Sequence, residues 1–173
     1  ILVVVLLLFT FCVRVVIVSG SSMFSTLADG DCLVLLNRPL CGELEQGDIV
    51  VASMERFKDG EAIVKRVIAT EGQTVDIDFR EGIVYVDGVA LEEDYTYTKT
   101  TTQEGVSFPL RVEENHVFLM GDNRNDSYDS RYRGIGQVDE RCILGKAIFL
   151  TMPGKDPATG KRDFSRVGLM DQE

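Results

Sequence analysis

The chain has 173 residues, enough for one well-formed hydrophobic core but too few for two independent domains of ordinary size. Its formal net charge of −10 argues against a nucleic-acid partner, because phosphate binding needs a basic face. The chain has no Trp, only one His (His116) and no CxxC pair among its four cysteines, so it lacks the usual zinc-site spacings. We therefore expect no metal and no cofactor, interpret His116 as structural, and expect the cysteines to be buried free thiols.

The N-terminus is strongly apolar. It reads ILVVVLLLFTFCV, thirteen residues without a charge, before Arg14. As a helix this run would be about 20 Å long, short of the ~30 Å hydrocarbon core of a bilayer. A cleaved signal peptide and a buried core helix are alternatives, but SGSSM is no clear cleavage site and such pure Val-rich runs are rare in soluble cores. We assign residues 1–18 to the C-terminal part of a transmembrane anchor and its juxtamembrane segment.

The rest of the chain has the short apolar or alternating runs that are typical of β-strands. The strongest local signal is Asp87-Gly88 between two such runs, which predicts a hairpin. The Thr-rich segment 92–104 is predicted to be an exposed loop or an irregular edge. The predicted strands cover residues 32–36, 48–52, 63–70, 74–78, 83–86, 89–91, 108–112, 117–120 and 143–150.

The fold class predicted from these runs is mainly β, with curved antiparallel sheets tethered at the N-terminus. No long helical periodicity follows Val18, so we expect no further long helix. The β-domain is expected over residues 19–153. Residues 154–173 are predicted to form a loosely held tail, in which 164–168 is a candidate for docking back on the domain.

Two stretches offer a nucleophile and a base. Residues 19–27, SGSSMFSTL, form a serine-rich loop, and a serine is nucleophilic only when a nearby base takes its proton. In IVKRVI, residues 63–68, a strand places Lys65 on one face with Ile63 and Val67. An ammonium on an apolar face loses hydration, which lowers its pKa toward the range that a general base needs. Taken alone, the better interpretation is an ordinary strand lysine that reaches water.

A third stretch is GDNRNDSYDSRYRG, residues 121–134. A calcium loop is one alternative, but Arg124 takes the third position of that template, Ser127 replaces the turn glycine, and Arg133 stands where the bidentate Glu belongs. A solvated loop is the other alternative. The density of alternating Asp and Arg favours a network of hydrogen bonds and ion pairs that satisfies its own charges.

Together these stretches resemble one family, the bacterial type I signal peptidases, which are membrane-anchored serine proteases with a Ser/Lys dyad. The resemblance runs from about Arg14 to Gly168. SGSSMFSTL is similar to the nucleophile segment, GDIVV to the strand after it, and IVKRVIATEG to the segment with the base. The most specific match is GDNRxxSxDSRxxG, which this chain fits at every fixed position; GKAIFL and FSRVG also have counterparts.

The resemblance implies roles for individual residues. Ser22, directly before Met23, would be the nucleophile, and Lys65 the general base. Ser127 would hydrogen-bond the lysine amine, and Asp129 and Arg131 would brace that loop as an ion pair. Further members of the predicted site are Asp122 and Arg124, in a similar bracing role; Ser19 and Ser21, as rival nucleophiles; and Ser25, which stands where the family usually has Pro.

The donors that would stabilise the oxyanion are only partly predicted. The backbone N–H of Ser22 would be one donor. Many relatives carry a hydroxyl two residues before the nucleophile, where this chain has Gly20. That resembles a Gly-type variant of Gram-positive enzymes and leaves the second donor undetermined.

The resemblance also implies substrates and location. Substrates would be secretory preproteins with small residues at the first and third positions before the cut. The protein would lie in the cell membrane, with its catalytic domain on the extracytoplasmic side, and meet the lipid bilayer and, as a further candidate partner, the protein-export translocon. Shallow apolar pockets would be lined by Val18, Met23, Leu27, Ile63 and Val64.

Three other functions remain open. A self-cleaving repressor of the LexA type also uses a Ser/Lys pair, but the anchor, the acidic charge and the missing DNA-binding region oppose it. A catalytically silent, membrane-tethered β-domain for binding or assembly is a second alternative, which the presence of Ser22 and Lys65 disfavours. A specialised signal peptidase with one dedicated substrate is the third.

Overall fold

The computed structural model describes residues 11–55, 57–156 and 159–170. Most of the regular structure in this part of the chain is β-strand, joined by loops and one-turn 3-10 helices at Arg38–Leu40, Lys58–Gly60, Glu140–Cys142 and Phe164–Arg166. The strands are β1 (Val13–Ile17), β2 (Cys32–Asn37), β3 (Ile49–Ser53), β4 (Ala62–Ala69), β5 (Thr74–Asp78), β6 (Ile83–Val86), β7 (Val89–Ala90), β8 (Leu110–Arg111), β9 (His116–Met120), β10 (Val138–Asp139), β11 (Ile143–Met152) and β12 (Gly168–Leu169).

The described strands form two antiparallel sheets. The larger has the order β1-β2-β11-β3-β4-β9-β10, with β12 paired to β11, and the smaller has the order β7-β6-β5-β8. The register shifts along β11 and between β4 and β9. Such irregularities bend a strand and increase its twist. The predicted fold class, mainly β with curved antiparallel sheets, is confirmed.

The large sheet is buried on both faces near its middle. In β3, Val50 and Ala52 belong to one hydrophobic cluster, while Ile49 and Val51 belong to another on the opposite face. This is why the β3 sequence IVVAS reads as a continuous apolar run rather than an alternating one. A third cluster includes Ile68 and packs the large sheet against the small one. Strand β4 therefore lies at the centre of the domain.

The hairpin predicted from Asp87-Gly88 is present between β6 and β7. Asp87 has φ 52° and Gly88 has φ 80°, the left-handed backbone that a two-residue turn between antiparallel strands requires. Asp and Gly are the residues that adopt it at least cost. The dihedral preferences of Asp and Gly therefore predicted this turn correctly.

Three short strands were not predicted. Strand β1, VRVVI, pairs along its whole length with β2, although we had assigned these residues to the juxtamembrane segment. Strands β10 and β12 each have two residues, and their pairing depends on neighbours distant in sequence. An apolar run such as VRVVI fits a strand as well as a helix, so its partner decides.

Residues 1–10 of the predicted anchor lie outside the described residues. Within residues 11–55, 57–156 and 159–170, no helix is long and apolar enough to span a bilayer. The anchor is therefore kept as a prediction.

The predicted tail contacts the domain at two places. Strand β12 pairs with β11, and Arg166 donates to both carboxylate oxygens of Asp31, at 3.0 and 2.6 Å. The same guanidinium donates to the carbonyl oxygen of Thr26 at 3.0 Å. Because Thr26 and Asp31 belong to the loop between β1 and β2, the C-terminal segment touches the loop that holds the candidate nucleophile.

Candidate active site

The side chains of Ser22 and Lys65 meet, although 43 positions separate them in the sequence. Lys65 Nζ lies 2.7 Å from Ser22 Oγ and 2.8 Å from the carbonyl oxygen of Val64. Lys65 is on the central strand β4 and is only 3% exposed. A hydroxyl this close to an amine is within proton-transfer distance, and a neutral amine at this place accepts the serine proton. The pair has the geometry of a nucleophile and its base.

The loop between β1 and β2 presents Ser22. Val18 donates its N–H to the carbonyl of Asp31 at 2.8 Å, which closes the loop at its base. Inside the loop the N–H of Leu27 donates to the carbonyl of Met23 at 2.8 Å. The side chains of Met23 and Leu27 are both buried in the core. Burial of Met23 directly after Ser22 fixes the serine at the surface of the sheet.

The segment 121–134 hydrogen-bonds to this loop and packs closely against it. The N–H of Asn123 donates to the carbonyl of Ser22 at 3.0 Å, and its side-chain amide donates to the carbonyl of Ser21 at 3.2 Å. A Cβ on Gly121 would lie 2.3 Å from Ser127 Oγ and 2.4 Å from the carbonyl oxygen of Ser22. Only glycine permits this approach, so the first residue of the segment lets its backbone pack against the nucleophile.

Ser127, Asp129 and Arg131 form a buried polar unit. Arg131 donates to both carboxylate oxygens of Asp129, at 2.9 and 2.8 Å, and both side chains are fully buried. Ser127 donates its hydroxyl to Asp129 at 2.8 Å, and Gly121 donates its N–H at 3.0 Å. Burial alone would raise the pKa of Asp129, but these four donors and the charge of Arg131 outweigh it and hold the pKa below its usual value. The bond from Ser127 to Lys65 that the resemblance implies stays a prediction.

A second buried ion pair joins the loop to the base strand. Arg66, next to Lys65, donates to Asp122 Oδ1 and Oδ2 at 2.9 and 2.8 Å. Thr26 donates its hydroxyl to the same carboxylate at 2.6 Å. Asp122 therefore connects the strand that carries the amine to the loop that carries Ser22, and the two buried carboxylates of the segment 121–134, Asp122 and Asp129, have different arginine partners.

Residues 93–105, which we call the strap, cross over the segment 121–134. Glu93 accepts from Arg124 at 2.8 and 2.5 Å. The ring of Tyr95 lies 3.9 Å from the Arg66 guanidinium, and Thr100 is buried and accepts from Arg124 at 2.9 Å. Burial and the negative charge of Glu93 raise the pKa of Tyr95, so its phenol stays protonated. The segment 92–104 is an irregular loop with mostly exposed residues, as predicted, but Glu93, Tyr95 and Thr100 are wholly or partly buried because their partners lie far along the chain.

The side chain of Asn125 hydrogen-bonds to several residues of the strap. Its Oδ1 accepts from the N–H and hydroxyl groups of both Thr101 and Thr102, at 3.1–3.2 Å. Its amide donates to the hydroxyl of Thr98 at 3.2 Å and to the carbonyl of Lys99 at 2.9 Å. The threonines of this loop supply donors to one asparagine at the surface. The strap is thereby hydrogen-bonded to the segment 121–134, which in turn contacts Ser22.

A cleft of about 340 Å³ opens beside the Ser–Lys pair. Four of the five residues predicted to line the substrate pockets line this cleft: Val18, Met23, Ile63 and Val64. Leu27 does not. The backbone bond from Leu27 to Met23 turns its side chain inward, where it is fully buried in the cluster that holds Leu33 and Leu35. We therefore withdraw Leu27 from the predicted pocket.

The cleft also contains residues that were not predicted. Asp126 and Tyr128 line it from the segment 121–134, and Phe57 and Glu61 line it from the chain before β4. Asp126 accepts a hydrogen bond from Ser21 Oγ at 2.6 Å. Asp126 and Tyr128 occupy variable positions of GDNRxxSxDSRxxG, so the motif gave no signal for them. That bond also engages Ser21, the rival nucleophile.

Gly20 lines the cleft with φ 92°, a conformation that favours glycine. Its N–H donates to Asp29 Oδ1 at 2.8 Å. The N–H of Gly20 is thus directed at a carboxylate of its own loop rather than into the cleft. The N–H of Ser22 remains the predicted oxyanion donor, and the second donor is still open.

Comparisons with known proteins agree with this geometry. The family model described as "Signal peptidase, peptidase S26" matches residues 1–152. A signal peptidase I of Bacillus amyloliquefaciens is 36% identical over 149 residues, which cover 81% of this chain and 74% of that protein. Signal peptidase I T of Bacillus subtilis (strain 168) is 37% identical over 146 residues, covering 79% and 72%.

A solved structure is also similar. A signal peptidase I from Enterococcus faecalis V583 has a TM-score of 0.50 and 29% sequence identity, and the match covers 60% of this chain and 96% of that one. The match of the family model, the sequence identities and this fold agree with one another. The chain therefore belongs to the signal peptidase family, peptidase S26, and is a serine endopeptidase.

Proposed function

We propose that this chain is a membrane-anchored endopeptidase that removes N-terminal signal peptides from exported preproteins, with Ser22 as nucleophile and Lys65 as general base. The observation that carries the proposal is the 2.7 Å contact between Lys65 Nζ and Ser22 Oγ. The relatives named signal peptidase I support the choice of substrate.

Acylation begins when Ser22 Oγ attacks the carbonyl carbon of the residue before the cut. The hydroxyl proton passes to Lys65 Nζ, and the carbonyl electron pair becomes the oxyanion, which accepts from the N–H of Ser22. As the carbonyl re-forms, the peptide C–N bond breaks and the Lys65 ammonium returns the proton to the leaving amine. The mature protein departs, and the signal peptide stays bound to Ser22 as an ester.

Deacylation reverses the roles. Lys65 takes a proton from a water molecule, the hydroxide attacks the ester carbonyl, and the proton returns to Ser22 Oγ as the ester bond breaks. Both steps need the same placement of amine and hydroxyl. The buried ion pairs of Asp122 with Arg66 and of Asp129 with Arg131 support the positions of the amine and the hydroxyl. Ser127, held by Asp129, would orient the amine.

Preproteins with small residues before the cut fit the cleft. Its apolar part is lined by Val18, Met23 and Val64, and Met23 and Val18 are almost fully buried. Shallow pockets of this kind bury a methyl group well and leave little room for a long side chain.

Anchoring in the cell membrane would bring the site to its substrates. The apolar run over residues 1–13 supports the anchor, and Phe11, Val15 and Ile17 present exposed apolar side chains at the start of the described chain. With the catalytic domain on the extracytoplasmic side, enzyme and membrane-bound preprotein would share one surface, which raises their effective concentration. The translocon is the candidate partner that delivers the preprotein.

The test is cleavage of a preprotein in lipid vesicles by the full-length protein, compared with Ser22→Ala and Lys65→Met. We expect the wild type to cut after a small residue and both variants to fall to background. Ser107→Ala and Lys99→Met remove the same groups at exposed positions and are expected to retain full activity. Thermal unfolding shows whether each variant is folded.

The outcomes separate the alternatives. Cutting by Ser22→Ala would show that another serine, such as Ser21, is the nucleophile. A folded wild type that leaves every preprotein intact would favour a binding module or an enzyme with one dedicated substrate. Protease accessibility of the domain in sealed vesicles tests the extracytoplasmic location independently of cleavage.

A further inference from the structure

The cleft beside Ser22 has two chemically different walls. Val18 and Met23 belong to the hydrophobic cluster on one face of the large sheet, and Val16 and Val64 pack against it. Phe57 lies in the cluster on the other face. Because successive residues of a strand point to opposite faces, Ile63 and Val64 of β4 contribute to different walls. We call the side with Val18, Met23 and Val64 the apolar wall, and the side with Phe57 and Ile63 the second wall.

An extended peptide can lie between these walls along the edge of β4. The ladder between β4 and β9 begins at Arg66. In the described part of the chain, no strand pairs with that edge at Ala62, Ile63 or Val64, which line the cleft. A peptide bound to a strand edge places alternate side chains on opposite faces. If the side chain of the residue before the cut packs on the apolar wall, the side chains of its two neighbours point toward the second wall.

Asp126 and Tyr128 line the cleft and add a carboxylate and an aromatic surface, and Tyr128 contacts Phe57 of the second wall. Asp126 is exposed and accepts from Ser21 Oγ at 2.6 Å. Among the described residues, no Lys or Arg forms an ion pair with it. Tyr128 is 58% exposed and its ring centroid lies 6.4 Å from that of Phe57 and 5.4 Å from that of Tyr132. The ring is thereby fixed while part of it faces the cleft.

These groups match one kind of side chain. A carboxylate attracts a cation, and an aromatic face binds an ammonium or guanidinium by a cation–π contact. Glu61 lines the same cleft, and Lys65 is the only basic residue among the described residues that line it. An acidic substrate side chain would be repelled here. The chemistry of the wall thus discriminates by charge, whereas the apolar wall discriminates by size.

We propose that Asp126, supported by Tyr128, selects preproteins that carry a basic side chain directly next to the residue before the cut. Both neighbouring positions share this chemistry: the second residue before the cut and the first residue after it. The inference rests on the proposed function and deepens it by adding a charge criterion to the size criterion. Asp126 acts on substrate binding and takes no part in the covalent steps.

The experiment uses the full-length protein in vesicles and one preprotein with Ala, Lys or Glu at each of the two positions in turn. We expect the wild type to cut the Lys substrate with a kcat/KM about tenfold above that for the Glu substrate at one of the positions. The position that shows the ratio identifies the neighbour that faces Asp126. The ratio is expected to shrink at high ionic strength, because the cleft is open to solvent.

Charge variants separate this role from a structural one. Asp126→Asn is expected to bring the Lys-to-Glu ratio close to one, and Asp126→Lys to invert it. Ser21→Ala removes the hydroxyl partner but keeps the carboxylate, so the ratio should persist. Asp76→Asn removes the same charge from an exposed position on β5 and is the matched control. Ratios are compared within each variant, so a general loss of activity cancels.

Three results overturn the inference. Equal cleavage of the Lys and Glu substrates by the wild type would show that the cleft does not select substrates by charge. The proposed peptidase function would be unaffected by that result. A ratio that survives in Asp126→Asn assigns the selectivity to another group. If the wild type cuts none of the Ala, Lys and Glu substrates, the proposed function itself fails, and the inference fails with it.

Discussion

Arg66 and Asp122 form a doubly hydrogen-bonded ion pair in the interior, with N–O distances of 2.9 and 2.8 Å. Both side chains are almost completely buried. Because Arg66 follows Lys65 directly and Asp122 also accepts from Thr26, the pair joins the two halves of the candidate dyad. The distance between amine and hydroxyl therefore depends on a charge pair that includes neither group.

Replacing Asp122 by Ala should destabilise the domain strongly. Arg66 would keep its buried charge without a carboxylate, and breaking a buried pair in this way costs about 3–5 kcal/mol of the free energy of unfolding. Chemical denaturation measures the loss, and cleavage activity should fall with it. Asp139→Ala breaks an exposed pair with Arg141 and should change stability far less. Equal losses in the two variants would contradict this account.

Gly121→Ala should impair catalysis more than stability. The new Cβ would meet Ser127 Oγ and the Ser22 carbonyl at 2.3 and 2.4 Å, so both must move. A displacement of about 1 Å in a catalytic group can cost roughly a hundredfold in rate, and we expect a loss of that size in kcat. Single-turnover cleavage measures it. Gly168→Ala, where the added Cβ meets nothing within 4 Å, should be neutral; comparable rates for both variants would refute the argument.

Glu104→Gln should stabilise the protein at neutral pH. Burial, together with the negative charge of Asp129, raises the pKa of Glu104, and its Oε2 is buried with no hydrogen-bond partner among the described residues. A carboxyl with a raised folded pKa binds its proton more tightly in the folded state. Stability is therefore lost as the pH rises from the unfolded value of about 4.3 through the folded pKa.

The test compares wild type and Glu104→Gln by denaturation across the pH range. The advantage of the variant should be present at pH 7 and should vanish below about pH 4, where the carboxyl is protonated in both states. Glu81→Gln, at an exposed position, is the control and should show no such trend. An advantage independent of pH would point to packing instead of charge.

Arg166→Ala should loosen the nucleophile loop from the C-terminal side. Asp31 is fully buried and would lose its cation, while it would keep the N–H donors of Ala28 and Gly154. We expect the free energy of unfolding to fall by about 2–3 kcal/mol, less than for a pair that loses every partner. Activity should also decrease, because the Thr26 carbonyl loses a donor.

Denaturation and cleavage measured on the same preparation provide the check on this prediction. Arg166→Lys keeps the charge but cannot donate to both carboxylate oxygens in the same fork, so it should fall between wild type and Arg166→Ala. Lys161→Ala, an exposed change in the same segment, is the control. Wild-type stability in Arg166→Ala would show that the docked segment contributes nothing to the loop.

Features that depend on neighbours along the chain could be predicted from the sequence. Alternation in residues 63–68 predicted a strand with Lys65 between two apolar side chains, and Asp87-Gly88 predicted the hairpin, because side-chain period and turn dihedrals are local properties. The resemblance of SGSSMFSTL and IVKRVIATEG to family segments named Ser22 and Lys65, and the match to GDNRxxSxDSRxxG was the most specific evidence for the family. It was silent on Asp126 and Tyr128, which stand at its variable positions.

Contacts between segments that are distant in sequence could not be predicted in this way. Whether VRVVI is a strand depended on its pairing with β2, and whether Leu27 lines a pocket depended on the turn that sends it into the core. The burial of Thr100 and the hydrogen bonds of the strap could not be predicted, because the partners Arg124 and Asn125 lie about 25 residues further along the chain. The 2.7 Å approach of Lys65 to Ser22 is of the same kind. Such a distance is set by packed strands and buried ion pairs together, and no local pattern encodes it.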